Sequence, residues 1–587
     1  MSKTVTDHDP PIERLEAALD HHEAQVDQLC VASSRRLTGP SLIWDRPGAV
    51  IDIDVKDIDA ERLTTFWDGH ARRVLDAIGW VDQKLTSRRF HGGVTLALSA
   101  PKDQLHSSVL AARIAWHYCA ADLLNTRSLA FDDLIGDLKS AMAQEADPTL
   151  IALIDKAELQ GVDILCDDDE VSIGHGIGSQ TWSVDDLPSP QDVTWSHLHD
   201  IPLALITGTN GKTTTTRLCA AIALTAGMVT GLTTTDVVQV GDDILDRGDY
   251  SGPGGARMLL RDPRVQIAFL EAARGGILRR GLPTRRARVA VVTNIARDHL
   301  GEYGVTTVAE LADAKFAVTR ALVPDGVSVL NADDACVVHA ASDVASAICW
   351  FSLDPAAPQI TQARASGQAC AYLERGMVIF FDGNTEALSI PVKDIPITLG
   401  GAARHNIGNA LAAICACRAL GIPHEAIRDG LCGFASDPMD NPGRFNEVCY
   451  NGARLFIDYA HNPAAIAAVC NALAQVPAQK RIVMISQPGD RSDQDIHDAT
   501  TTALQFQPDL IVVAEIADYL RGRKLNETTQ LIETSAISSG INPDSILRAS
   551  SPSEGTKLIL AQLQPRDLVL LLVLSDRERV FDLVQER

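Results

Sequence analysis

The run Leu203-Ala204-Leu205-Ile206-Thr207 is apolar throughout, too short for a helix and closed by a glycine turn, which predicts a strand buried on both faces. The signature recurs at Ile267 to Glu271, Val289 to Thr293 and Val327 to Leu330, with helix-length stretches between. Strands spaced in this way predict a parallel, doubly wound sheet whose ligands collect beyond the carboxyl ends of the strands. Leu455 to Ile457, Arg481 to Ser486, Leu510 to Ala514 and Leu568 to Leu572 repeat the pattern and predict a second α/β domain over 441–587. Upstream, Ser41 to Asp54 and Gly93 to Leu98 alternate like half-buried strands, while Ile12 to Leu19 and Ser107 to Leu124 carry helical periodicity. They predict a small α+β domain over 1–165. Residues 166–199 turn acidic and then rich in Pro, Ser and Asp, the composition of a linker, with Val171 to Gly174 also open to reading as a strand. A central domain is expected over 200–440, with a β insertion near 360–400 around the turn Asp382-Gly383-Asn384.

Composition narrows the partners. A chain of 587 residues exceeds one hydrophobic core, and 46% apolar residues supports folded domains. The net charge of −24 argues against non-specific attraction to nucleic acid or an anionic membrane. Twelve scattered cysteines without a Cys-x-x-Cys pair signal neither a zinc site nor a disulfide framework. Met1 to Pro11 is polar, no apolar stretch is long enough to span a bilayer, and a cytoplasmic location is expected. The arginines at Arg35, Arg36, Arg88 and Arg89 read equally as an acidic-polymer site or as solvated surface.

The candidate chemistry begins directly after the first central strand. Gly208-Thr209-Asn210-Gly211-Lys212-Thr213-Thr214 combines a tight turn, exposed backbone N–H groups and a helix N-terminus, a cradle for phosphate. It is shorter than the common P-loop, with Ile206 where that spacing wants glycine. Glu271, at the end of a buried strand, is placed to hold Mg²⁺ together with Thr213, and His299 follows the next strand as a further metal candidate. Between them Arg274, Arg279 and Arg280 concentrate positive charge, read either as an exposed loop or as a clamp for substrate carboxylates.

These residues, with Lys315, Asn331-Ala332-Asp333-Asp334, His405-Asn406, Asn409, Gly443-Arg444 and Asp458-Tyr459-Ala460-His461-Asn462-Pro463, occur in the order found in the Mur ligases. Over residues 200 to 587 the sequence resembles that family of ATP-dependent amide-forming enzymes. Gly248-Asp249-Tyr250-Ser251-Gly252-Pro253, the run Glu271 to Arg279, Pro488 to Ile496 and Leu520 to Arg523 resemble more narrowly the Mur-like half of the cyanophycin synthetases. The resemblance implies an α/β, three-domain architecture: a small α+β N-terminal domain, a central P-loop parallel-sheet domain and a C-terminal Rossmann-like domain.

It also implies roles. Lys212 would contact the β- and γ-phosphates of ATP, Thr213 and Glu271 would hold Mg²⁺, and His299 would serve a second metal. Lys315 matches a lysine carbamylated in many relatives. Asn406 and Asn409 match adenine contacts, Asp458 a ribose contact, His461 lies in the same nucleotide motif, and Arg444 would reach the γ-phosphate. The implied activity is an ATP-dependent carboxylate–amine ligase acting through an acyl phosphate. It would add an amino acid, or another amino-bearing substrate, to an acidic peptide or cyanophycin-like acceptor. A folylpolyglutamate-synthase-like ligase, a muramyl-peptide ligase and a non-catalytic nucleotide-binding scaffold are the alternatives. Self-association and a separate partner ligase stay open, and residues 166–199 leave no room for the ATP-grasp module that cyanophycin synthetases carry before their Mur-like half.

Overall fold

Alternate residues of the strand Leu203–Thr207 enter two different cores in the computed structural model. Ala204 and Ile206 pack with Ile267, Phe269, Val289 and Val291 beneath the helices Lys212–Thr225 and Arg404–Ala419. Leu203 and Leu205 pack with Ala268, Leu270, Ala290 and Val292 beneath Pro253–Leu260, Arg274–Arg280 and Val308–Phe316. A period of two with both faces covered is what makes these strands read as unbroken apolar runs. The structure describes residues 10–22, 29–56, 58–435, 437–438 and 440–585; the polar start at 1–9 lies outside them.

Seven parallel strands form the centre of an eleven-stranded sheet, in the spatial order Thr230–Thr233, Ile267–Glu271, Leu203–Thr207, Ala287–Val292, Leu322–Asn331, Ala347–Ser352 and Cys370–Glu374. Antiparallel strands extend both edges: Val237–Val240 and Asp243–Arg247 on one side, Met377–Phe381 and Glu386–Pro391 on the other. The expected insertion at 360–400 is therefore corrected. Those strands continue the central sheet, because Phe380, Leu388 and Ile390 join the same core as Ile206.

The C-terminal sheet carries Leu568–Leu572 between Ala453–Asp458 and Arg481–Ile485, with Leu510–Ala514 and Ile546–Ala549 beyond, all parallel. Asn446–Tyr450 closes its edge antiparallel to Ala453–Asp458. Near the N-terminus, Leu29–Leu37, Gly48–Val55, Gly93–Ser99 and Leu85–Phe90 form an antiparallel sheet in that order, with the helices Ala60–Ile78 and Leu105–Leu124 against it.

Two arginines that the sequence left open between polymer binding and bare surface are used inside the structure. Buried Arg35 pairs with Asp52 and donates from Nε to Leu278 O at 2.8 Å. Arg88 donates to Gly304 O at 2.9 Å. With Thr38 N to Arg280 O (2.8 Å) and Leu282 N to Pro40 O (2.6 Å), Arg35 fastens the N-terminal sheet to the end of the helix Arg274–Arg280, while Arg88 ties it to the loop at Gly304.

The stretch 166–199 is not a linker. Glu170–Ile173 and Gln180–Ser183 pair with Ile164–Cys166 in a three-stranded sheet, and Val171, Ile173, Val193 and Leu198 are buried against Leu150, Leu153 and Ala157. Its acidic residues have partners distant in sequence: Arg261 donates to Asp167 Oδ2 at 2.7 Å and to Glu170 O at 2.9 Å. Composition hid this, since a carboxylate paired across ninety positions looks like a solvated one.

The same unit encloses His175 completely, with Nε2 3.3 Å from Asp163 Oδ2 and Nδ1 3.5 Å from Asp200 Oδ1. Burial pulls the imidazole pKa down, but the two carboxylates outweigh it and raise the pKa above the usual value. Burial likewise pushes Asp163 up, and His175 with Thr284 overcomes it, holding the carboxyl at about 2. A raised histidine pKa gives stability that is present below the unfolded value and lost as pH rises through the folded one. His175→Ala is therefore expected to cost about 3 kcal/mol at about pH 6, in urea unfolding followed on the intact chain. The cost should shrink toward about pH 9; a constant cost would assign the effect to packing alone.

Candidate functional site

Two glycines shape the loop after Leu203–Thr207. Gly208 has φ +146°, and a Cβ there would stand 1.9 Å from Thr293 Oγ1; Gly211 has φ +84°, and its Cβ would meet Asn409 Oδ1 at 2.3 Å. No other residue fits either place. The loop is then pinned to the next strand: Thr209 N donates to Asn294 O at 2.8 Å, and Asn210 N to Asn294 Oδ1 at 2.9 Å. Thr293 Oγ1 and Asn294 Nδ2 donate in turn to Asn210 O, at 2.6 and 2.9 Å.

Lys212 opens the helix Lys212–Thr225 and curls back, with Nζ 3.0 Å from Thr209 O. Four successive threonines are poor helix formers, each losing a few tenths of a kcal/mol against alanine. Here their hydroxyls are used: Thr213 donates to Glu271 Oε2 at 2.8 Å, Thr214 accepts from Asn441 Nδ2 at 3.3 Å, and Thr215 reaches Asn409 Oδ1 at 3.5 Å. Asn409 Nδ2 donates to Asn406 Oδ1 at 3.0 Å, and Asn406 Nδ2 to Ile397 O at 3.0 Å, so this pair lies directly under the cradle.

Glu271 is 3% exposed, and its second oxygen, Oε1, has no hydrogen-bond partner. Burial raises its pKa despite the opposing charges of Lys212 and Arg444. An orphaned carboxylate oxygen beside the Thr213 hydroxyl is a hard-oxygen donor set that fits Mg²⁺. Lys315, also 3% exposed, donates from Nζ to Gly208 O at 2.7 Å, and burial together with Lys212 drives its pKa far down.

The C-terminal domain completes the cleft. Asn462 Nδ2 donates to Asn210 Oδ1 at 2.9 Å, and Arg444 Nη2 donates to Thr213 Oγ1 at 3.3 Å and to Thr235 Oγ1 at 3.1 Å. Asp458 is buried, its carboxyl pushed up to about 6 by that burial, with Oδ1 accepting from Ala460 N at 2.7 Å. His461 Nδ1 lies 3.0 Å from Tyr459 O, and its Nε2 lies 3.9 Å from Asp298 Oδ2.

Donor atoms of Asp298, His299 and His461 lie within 4.8 Å of one another, a second donor set that suits a divalent cation. Burial would raise Asp298, but His461, His299 and Arg491 hold it well below the carboxylate range. Arg491 bridges the group, with Nη1 2.9 Å from Asp298 Oδ1 and Nη2 3.0 Å from His299 Nε2.

The expected arginine clamp does not form as one cluster. Arg274 is buried toward the cleft and donates to Glu302 Oε2 at 2.6 Å, whereas Arg279 is exposed and Arg280 lies at the far end of the helix beside Arg36 and Asp168. A seven-residue helix separates its ends by about 10 Å, and Arg280's carbonyl is held by Thr38. Several cleft residues had no sequence role: Asp298 precedes His299 and Arg491 lies inside the run Pro488 to Ile496, but Arg217, Asp236 and Arg577 carried no local signal.

The Mur ligase middle domain matches residues 206–417, and the Mur ligase glutamate ligase domain matches residues 443–572. The cyanophycin synthetase of Trichormus variabilis is 36% identical over 389 residues, 63% of this chain and 42% of that protein. That of Synechocystis sp. is 40% identical over 333 residues, 57% of this chain and 38% of that protein. The chain thus spans less than half the length of these curated relatives. UDP-N-acetylmuramoyl-L-alanyl-D-glutamate–2,6-diaminopimelate ligase of Geobacter metallireducens is 29% identical over 303 residues, 50% of this chain and 55% of that one. Among solved structures, a bifunctional folylpolyglutamate synthase/dihydrofolate synthase with Mn, AMPPNP and L-glutamate bound covers 66% of this chain and 90% of its own at 19% identity, TM-score 0.48. Both Mur ligase domains are present in the family's order on the two sheets that meet at this cleft, and the chain belongs to the Mur ligase family.

Proposed function

We propose that the chain is an ATP-dependent carboxylate–amine ligase acting through an acyl phosphate. The observation that carries this reading is the joint construction of the cradle: Arg444 and Asn462 of one domain reach Thr213 and Asn210 of the other. A site closed by two domains suits a water-sensitive intermediate, because closure excludes the competing nucleophile. The cyanophycin synthetase and muramyl ligase relatives support an acidic peptide or cyanophycin-like acceptor and an amino acid as the amine.

In this reading an acceptor carboxylate oxygen attacks the γ-phosphorus of ATP and ADP leaves. The loop N–H groups, Lys212 and Arg444 stabilise the charge on the transferring group. The amine then attacks the acyl carbon, loses a proton, and the tetrahedral centre expels inorganic phosphate to leave an amide. Thr213 and Glu271 would hold a divalent cation, with Asp298, His299 and His461 as the second donor set; such a cation supplies electrostatic stabilisation of phosphate oxygens. Of the basic helix, Arg274, which is buried and paired with Glu302, would be the residue to meet an acceptor carboxylate. The retained Glu271, Lys212 and Arg444 favour a working ligase over a nucleotide-binding scaffold.

The direct test is phosphate release from Mg-ATP across pairs of acidic peptides and amino acids, with mass spectrometry of products. Release that needs both partners, and a product heavier by the amine less water, is expected. ATP binding without release for any pair would favour the scaffold. Lys212→Ala should abolish turnover with an unchanged melting curve; near-normal turnover would remove the nucleotide assignment. Arg444→Ala should slow single-turnover phosphoryl transfer about 100-fold while ATP affinity changes less than about threefold. Equal losses would mark a static contact. Glu271→Gln should weaken Mn²⁺ binding, read by electron paramagnetic resonance, by about tenfold or more.

A further inference from the structure

Asp236 lies beyond the end of the strand Thr230–Thr233, against the C-terminal domain, and three guanidinium groups surround it. Arg577 Nη2 donates to Asp236 Oδ1 at 2.6 Å. Arg444 Nη2 stands off the other oxygen, Oδ2, at 3.9 Å, and Oδ2 has no hydrogen-bond partner. Arg217, buried in the helix after the cradle, adds its charge from behind and donates to Asp440 O at 3.3 Å. Burial alone would raise the Asp236 carboxyl, but Arg444, Arg577 and Arg217 hold it below its usual range, so it is an anion.

Arg577 is itself held from several sides. Nη1 donates to Pro442 O at 3.1 Å, and its Cδ lies 2.5 Å from where a Cβ on Gly443 would stand, so Gly443, at φ +69°, leaves room for it. Tyr459 has the Arg444 guanidinium 4.5 Å from its ring centre and that of Arg577 at 5.5 Å. The result is asymmetric. Arg577 takes the full hydrogen bond of the carboxylate, while Arg444 keeps its Nη2 on the hydroxyls of Thr213 and Thr235.

We propose that Arg577 is a positioning residue for the phosphoryl-transfer step: by supplying the counter-charge of Asp236 through Oδ1 it lessens the pull of that carboxylate on Arg444 and leaves Arg444 aimed at the phosphate cradle. The argument rests on the ligase reading given above. A desolvated carboxylate without Arg577 would draw the nearest remaining guanidinium, and Arg444, at 3.9 Å, needs only a small movement to close a direct pair. Arg444 would then be a neutralised partner of Asp236 and would leave Thr213. The loss would fall on the transition state, where charge on the transferring group is greatest, rather than on ground-state ATP affinity.

The test is a cycle of variants in the full chain, with ATP affinity measured by calorimetry and acyl-phosphate formation by rapid-quench single turnover. Arg577→Ala and Arg577→Gln should each slow transfer about 30- to 100-fold with ATP affinity within about threefold of the parent. Arg577→Lys, which keeps a charge on Asp236, should lie within about tenfold of the parent. The decisive member is Arg577→Ala with Asp236→Asn. Removing the captor should restore at least about tenfold of the lost rate, a recovery that a merely structural role for Arg577 does not give. Parent-like transfer in both Arg577→Ala and Arg577→Gln, a double variant no faster than Arg577→Ala, or unfolding of both single variants would each overturn the proposal. A parent chain that fails to bind ATP would instead refute the ligase reading.

Discussion

Asn210 is where the backbone of the glycine loop 208–211, the neighbouring strand end and the C-terminal domain are tied together. Its carbonyl accepts from Thr293 and Asn294, its N–H donates to Asn294, and its side-chain amide exchanges hydrogen bonds with Asn462. Every main-chain polar group of that residue is therefore satisfied by partners whose own positions are set by buried strands. These bonds fix the shape of the loop from within the protein, so binding energy would not be consumed in ordering it. The glycines at 208 and 211 follow from the same constraint, since Thr293 and Asn409 occupy the space a side chain would need.

What could be read in advance was whatever depends on short-range pattern. The two-face burial of Leu203–Thr207, the helix opened by Lys212 and the carboxylate ending Ile267–Glu271 all follow from a period of two, a turn chemistry and a helix start. Residues whose meaning depends on a distant partner were not legible. Asp167 and Glu170 looked solvated because Arg261 cannot be seen from them. Arg577 sits in an ordinary charged run at the start of the last helix, and only the approach of the two domains gives it Asp236. Met377–Phe381 and Glu386–Pro391 looked like a separate β unit because antiparallel edge strands alternate in the same way wherever they attach.

The electrostatics are opposed on two scales. The whole chain carries −24, yet the seam between the domains gathers Lys212, Arg217, Arg444, Arg491 and Arg577 within one cleft. Asp236, Glu271 and Asp298 offset part of that charge, and each of the three is held at a specific oxygen by a named donor. A polyanion approaching such a protein is repelled at long range, where screening weakens the repulsion over about 8 Å, and attracted once inside.

The seam between the N-terminal sheet and the helix Arg274–Arg280 has a practical consequence for domain grafting. Thr38, Pro40 and Arg35 supply partners to Arg280 O, Leu282 N and Leu278 O, so the last turn of that helix is capped by two backbone groups and one side chain of another domain. Excising the N-terminal sheet as a cassette would therefore leave three main-chain groups of the central domain unmatched. A transplanted replacement would have to reproduce the loop at 38–40 before Arg274, one helix length away, could be relied on to hold its place.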